Sequence, residues 1–196
     1  MRDTEGEKIK NNILKLSHSV VVTGLSSAYL YSPNTIIKNL IFFISGIYFT
    51  VDTKSLCCKD KIDYPILYHH IITMFLLLGF YIDYYGKILI YLYHLGELSS
   101  VFIYTTYHLR KTSPNMELIL CSNIIQTITY GYLRVYCFTD FLIKNASLIF
   151  SSPLMLLFGI YLMGLVWFYI LCKQVYKERD TIRYIIYEYY DNLIQN

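Results

Sequence analysis

Tyr68-His69-His70-Ile71-Ile72-Thr73-Met74-Phe75-Leu76-Leu77-Leu78 sets two adjacent histidines just inside one apolar run, and His94-Leu95-Gly96-Glu97-Leu98-Ser99-Ser100 sets a histidine and a glutamate inside the next. On translocon scales an acidic or basic side chain at mid-membrane costs about 3 kcal/mol, so ionisable groups in such runs are seldom idle. The runs themselves decide the fold class, because they are long enough to cross a bilayer. Hydrophobic residues make up 55% of the chain and charged residues only 16%, a charge share low for a soluble domain.

Around these two stretches the chain divides into a polar cytosolic lead (1–12), a transmembrane domain (13–172) and a cytosolic amphipathic tail (173–196). In the tail Ile182, Ile185, Ile186, Tyr189 and Leu193 recur at helical spacing, as on a helix lying at a membrane surface. Between them the apolar runs cover about 13–31, 35–51, 63–82, 88–108, 113–138 and 148–172. Asp63 caps the third run with Pro65 in its first turn, and Ser113-Pro114 starts the fifth. The first run carries Ser17, Ser19, Thr23, Gly24, Ser26 and Ser27, which suits close packing between helices. With no short apolar segment and small-residue cleavage site, it reads as a retained anchor. The expected architecture is all-α: an integral membrane bundle of about six transmembrane helices around a polar interior cavity.

An even number of spans puts both termini on one side. Arg2, Lys8, Lys10, Lys15, Lys54, Lys59, Lys61, Arg110, Lys111, Lys173, Lys177, Arg179 and Arg183 fall on that side, against Lys38, Lys87 and Lys144 on the other. The positive-inside rule therefore places both termini in the cytosol. Asn145-Ala146-Ser147 is a glycosylation sequon too close to the membrane to be used. Cys57-Cys58, beside a membrane end, reads either as a palmitoylation site or as two inert thiols; Cys121, Cys137 and Cys172 read as small packing residues.

At about 100° per residue, polar side chains align on four of the runs. They are Lys38, Ser45, Tyr48 and Asp52; His70 and Thr73; His94, Glu97, Tyr104 and His108; and Asn123, Gln126, Thr127, Tyr130 and Arg134. Stripes that avoid lipid are best satisfied by facing one another. The candidate cavity residues are thus Asp52, His94, Glu97, Asn123, Gln126, Tyr130 and Arg134. Glu97 pairs with Arg134 or with His94, or stays protonated. His69 and His70 admit general acid/base or nucleophilic work, structural hydrogen bonding, or metal ligation. The last is disfavoured because adjacent residues project apart and no Cys or carboxylate cluster accompanies them, so no metal is expected.

Tyr48-Phe49-x-x-Asp52, His69-His70-x-x-Thr73, Gly96-Glu97-Leu98-Ser99-Ser100 and the stretch Tyr130 to Arg134 resemble, in order and spacing, the successive motifs of TLC-domain membrane proteins. The resemblance covers residues 40–175. It implies a multi-pass protein of the endoplasmic reticulum that wraps a lipid-sized cavity. In the family's ceramide synthases, the histidine pair and two later aspartates serve acyl transfer from acyl-coenzyme A to a sphingoid amine. His69 and His70 match that pair and His94 a histidine before the aspartates. Leu95 stands at the first aspartate, and Glu97 replaces the second out of register. The Glu-Leu-Ser-Ser version is closer to the branch linked to lipid sensing, trafficking and membrane composition. The resemblance therefore implies a membrane lipid as partner, no nucleic acid and no cofactor, with acyl-coenzyme A as co-substrate if the chain is an acyltransferase using His69 and His70. The Tyr, Ile and Asn usage suits the AT-rich coding of a giant DNA virus or a protist.

Overall fold

A computed structural model describes residues 5–58, 62–150, 152–181, 183, 184 and 187. All secondary structure among them is helical. In chain order the helices are α1 (Glu5–Tyr31), α2 (Thr35–Cys57), α3 (Tyr64–Tyr81), α4 (Gly86–Thr112) and α5 (Met116–Tyr130). A π-helical segment, Gly131–Cys137, then leads directly into α6 (Phe138–Lys144); α7 (Ala146–Phe150), a 3-10 turn (Pro153–Met155) and α8 (Leu156–Lys177) follow. Four segments are long and apolar enough to cross a membrane: Thr35–Cys57, Tyr64–Tyr81, Gly86–Thr112 and Pro153–Lys177. They mark the chain as a membrane protein.

Local chemistry explains the helix ends. Asn34 accepts a hydrogen bond from the Ile36 amide at 2.7 Å, and Asp63 from the Ile66 amide at 3.3 Å, so the expected α3 cap forms with Pro65 in its first turn. At α5 the cap is Asn115, which accepts from the Leu118 amide at 3.0 Å. Ser113 instead accepts from the Asn115 amide at 3.1 Å, two residues before the cap of the helix that it was expected to start. The α3–α4 turn is tight: Asp83 and Tyr85 have φ of 62° and 54°, the left-handed region that side chains disfavour. Asp83 is held there by Lys38 of α2, Nζ to Oδ1 2.6 Å.

Several boundaries differ from expectation: α2 runs to Cys57 rather than to 51, and the fifth helical path covers Met116 to Lys144 rather than 113–138. Residues 5–12, expected as a polar lead, are already the first turns of α1. The sixth run does not start at Leu148; Ser152 accepts from the Leu154 amide at 3.2 Å and re-initiates the chain at Pro153. In the tail, α8 runs on to Lys177, while Ile182, Ile185, Ile186, Tyr189 and Leu193 lie outside the described residues. Asn145 of the sequon sits at the α6–α7 break, where its side-chain amide donates to the Phe141 carbonyl at 2.9 Å. Cys121, expected to pack, is exposed, as are Cys57 and Cys58.

α1 runs antiparallel to α4 and α8. Lys111 Nζ meets Glu5 Oε1 at 3.1 Å and Arg110 Nη2 meets Glu178 Oε1 at 2.7 Å, so α1 begins at the end where α4 and α8 finish. Near the α3–α4 turn the interior is apolar: Ile41, Leu77, Phe80, Leu89, Ile90, Phe138 and Leu157 are all buried. Val166, Phe75, Ile128 and Ile47 stand out on the periphery instead, each more than half exposed.

Lipid tails are as apolar as leucine, so apolar area alone does not drive membrane helices together; close approach at small residues does. Two glycines provide it around α8. A Cβ added at Gly131 would come 2.6 Å from Phe168, and one at Gly159 would collide with the Tyr68 hydroxyl. Gly131→Leu is expected to lower stability by about 1–3 kcal/mol through overpacking, read as a lower melting temperature of the purified protein in detergent. Gly24→Leu, at a helical position where an added Cβ meets nothing within 4 Å, is the matched control and is expected to melt no lower than the wild type.

Candidate functional site

α4 carries the site, and α1 closes over it. Asn12, Lys15, Ser19, Val22 and Ser26 recur at alternating steps of three and four residues, so they form one stripe along α1. All but Lys15 are buried. The stripe faces α4: Asn12 Nδ2 donates to the Tyr104 carbonyl at 2.9 Å, Ser19 Oγ to Glu97 Oε2 at 2.8 Å, and Ser26 Oγ bonds His94 Nδ1 at 2.9 Å. Glu97 therefore pairs with neither Arg134 nor His94. Its hydrogen-bonded partner is Ser19, and His18 Nδ1 stands 3.7 Å from the same oxygen.

Arg134 reaches α4 from the π-helical segment. Its Nε donates to Ser99 Oγ at 2.7 Å, and Nη2 donates to the Gly96 carbonyl at 2.8 Å and Ser100 Oγ at 3.2 Å. The guanidinium lies over the Tyr130 ring, 5.5 Å from its centroid. The two serines are thus the seat of an arginine. Both also donate to the Gly96 carbonyl, at 2.7 Å and 3.0 Å, so they orient their lone pairs toward the incoming N–H groups. Arg134 is 9% exposed, so a cation there needs every one of these acceptors. Its Nη1 edge bonds no described residue. A π turn inserts one residue into the helical ladder, a deformation frequent at functional sites, and here it carries the arginine.

The histidine pair splits in two directions. His70 Nε2 lies 3.5 Å from Asp52 Oδ2 and Nδ1 3.4 Å from Thr53 Oγ1. Asp52 is also ion-paired with Lys15, 3.1 Å away on α1. His69 points toward α8, its ring edge-on to Trp167 with centroids 6.1 Å apart. Its Nδ1 is sealed from solvent and has no hydrogen-bond partner among the described residues. The Tyr130 hydroxyl is in the same condition. Among the described residues, no three His, Cys, Asp or Glu side chains converge as a metal-ligand set.

These groups surround a cavity of about 340 Å³. His69, His70, Glu97, Gln126, Tyr130 and Arg134 line it, together with Lys15, Tyr48 and Tyr104. Ile66 of α3 and Trp167, Ile170 and Leu171 of α8 close its remaining side. Ile170 is also 52% exposed, which makes the α3–α8 seam the cavity's lateral face. A narrower apolar pocket of about 50 Å³ adjoins it. The two share His69, Glu97 and Arg134. Beyond these the narrow pocket is walled mainly by aliphatic and aromatic side chains, among them Phe80, Leu89, Phe138 and Leu157.

Three expected cavity residues stand elsewhere. Asp52 faces the α1–α2 side with Lys15, and His94 is turned to Ser26. Asn123 is the centre of a clasp at the helix ends: it accepts from Arg110 Nε and Gln174 Nε2, both at 3.1 Å, and donates to Glu178 Oε2 at 2.8 Å. A single stripe drawn through Asn123 and Arg134 joins two different sites. His18 lies on none of the four polar stripes, yet it stacks on Tyr48 with ring centroids 3.7 Å apart and adjoins Glu97. The signal was a lone histidine inside the first apolar run, where an ionisable side chain is costly. Comparison with protein-family models, with curated proteins and with solved structures finds no match.

Proposed function

We propose that this is a multi-pass membrane protein of TLC type, with about six spans and both termini in the cytosol, that binds the polar group of a membrane lipid in its interior. The observation that carries the reading is the shared floor. His69, Glu97 and Arg134 line both the wider cavity and the apolar pocket beside it. Polar anchors next to an apolar slot suit an amphiphile. The cavity's volume, about 340 Å³, is at the low end of small-ligand sites, so it takes a head group and the first carbons of a chain. For the span count, α1 with its 27 residues is about 40 Å long, enough to cross with its polar stripe turned inward. The helical path from Met116 to Lys144 also runs unbroken through the π turn. The TLC reading also places the protein in the endoplasmic reticulum.

Native mass spectrometry of the purified protein tests this. The wild type is expected to carry lipid; a variant with alanine at His69, His70, Glu97 and Arg134 is expected to carry none. Equal lipid in both would remove the proposal. A second reading, acyl transfer from acyl-coenzyme A, rests on the unpartnered ring nitrogen of His69. Turnover by the same wild-type preparation, lost in His69→Ala and His70→Ala, would favour it over binding alone.

A further inference from the structure

A second space opens on the other side of α1. It is a cleft of about 510 Å³ between α1 and α2. It shares only Lys15 and Tyr48 with the interior cavity. Its two ends differ in chemistry. Asn11, Lys15, Asp52 and Ser55 lie toward the end where α1 begins and α2 finishes; Ile44 and Ile47 lie deeper. Leu14 and Ile47 are 56% and 66% exposed, so the cleft is open along its apolar length to the side that lipid occupies.

Three polar groups in it have capacity to spare. Asp52 directs Oδ2 to both Lys15 and His70, while Oδ1 bonds no described residue. The Lys15 ammonium has three donors and meets Asp52 with one face. His18, 6% exposed, lines the cleft, and neither of its ring nitrogens has a hydrogen-bond partner among the described residues. Lys15 and Asp52 already balance in charge. A head group with a net charge would leave that charge uncompensated at low dielectric, whereas a hydroxyl accepts from Lys15 and donates to Asp52 without disturbing the balance.

We infer that the α1–α2 cleft is a second binding site, for a single-chain amphiphile with an uncharged hydroxyl head, held at Lys15 and Asp52 with its chain along Leu14, Ile44 and Ile47. The site is separate from the lipid site proposed for the interior. Its occupant comes from the bilayer leaflet at the end where α1 begins.

The test is photolabelling of the full-length protein in lipid nanodiscs with a long-chain primary alcohol bearing a mid-chain diazirine, mapped by peptide mass spectrometry. Label is expected on Leu14, Ile44 or Ile47. Ile47→Trp, a change at an exposed position that fills the cleft, is expected to remove it. Removing both charges together, as Lys15→Met with Asp52→Leu, is expected to reduce it about tenfold. The carboxylic acid of the same chain is expected to label about tenfold less than the alcohol. No label on α1 or α2, label indifferent to Ile47→Trp, or acid labelling as strong as alcohol overturns the inference. Label at Ile103 or Trp167 reports the interior cavity independently, so its absence counts against the function proposed above and leaves the cleft result to stand on its own.

Discussion

Arg134→Ala is expected to cost about 3–5 kcal/mol of stability and to strip the purified protein of bound lipid. The cost comes from what the arginine leaves behind. Ser99 and Ser100 keep the Gly96 carbonyl as acceptor, but their own lone pairs lose the Nε and Nη2 donors. Glu97, buried and lining the same cavity as Arg134, loses a nearby cation in a medium with little water to replace it. Arg134→Lys is expected to recover only part of this. A lysine ammonium is a point charge on a flexible stem, whereas the guanidinium fork fits Ser99, Ser100 and Gly96 together. Ser99→Ala removes one acceptor and is expected to cost about 1–3 kcal/mol. Thermal unfolding in one detergent gives the order Ala, then Lys, then Ser99→Ala. If Arg134→Ala melts with the wild type, the arginine is not seated on α4 in the membrane.

The sequence displayed the helices plainly, because hydropathy over an eighteen-residue stretch is a strong signal and the caps at Asn34 and Asp63 are local chemistry. It displayed the inward groups of α3 and α4 nearly as well: His69, His70 and Glu97 are expensive in lipid and all line one cavity. What it hid depends on phase and partner. Asn123 and Arg134 share a stripe on an ideal helix, but the π segment begins between them, and the bundle gives them different neighbours. His94 looked like the partner of Glu97 because one turn separates them on α4. A side chain on α1 intervened at each position, Ser19 for Glu97 and Ser26 for His94. The α1 serines were legible as packing residues. That the same stripe carries Lys15 and Asn12, and so faces polar partners, needed the register of α1 against α4, which no single-helix pattern contains. Ser99 and Ser100 likewise read as a motif before they read as a seat, since the arginine they hold is far away in sequence.

Glu97→Leu is expected to be less damaging alone than Arg134→Leu, and the two changes together less damaging than their sum. With leucine at 97, Ser19 loses its acceptor and Arg134, hydrogen-bonded to neither carboxylate oxygen, loses an acidic neighbour, which puts the single change at about 1–3 kcal/mol. In Glu97→Leu with Arg134→Leu, neither uncompensated charge remains, and replacing opposed buried charges by apolar groups is often neutral or stabilising. A double-mutant cycle on unfolding free energies is therefore expected to show coupling of about 1–3 kcal/mol, within the range found for neighbouring groups in one network. Strict additivity would mean that Glu97 and Arg134 act on separate surroundings rather than on the one floor they share with His69. The double variant also separates folding from function. Two leucines restore stability but supply neither the carboxylate nor the guanidinium edge that faces the cavity, so the well-folded double variant is expected to retain no lipid by native mass spectrometry. Lipid retained at the wild-type level in that variant would show that the apolar pocket alone holds it, and that the charges serve only to fix α1 and the π segment against α4.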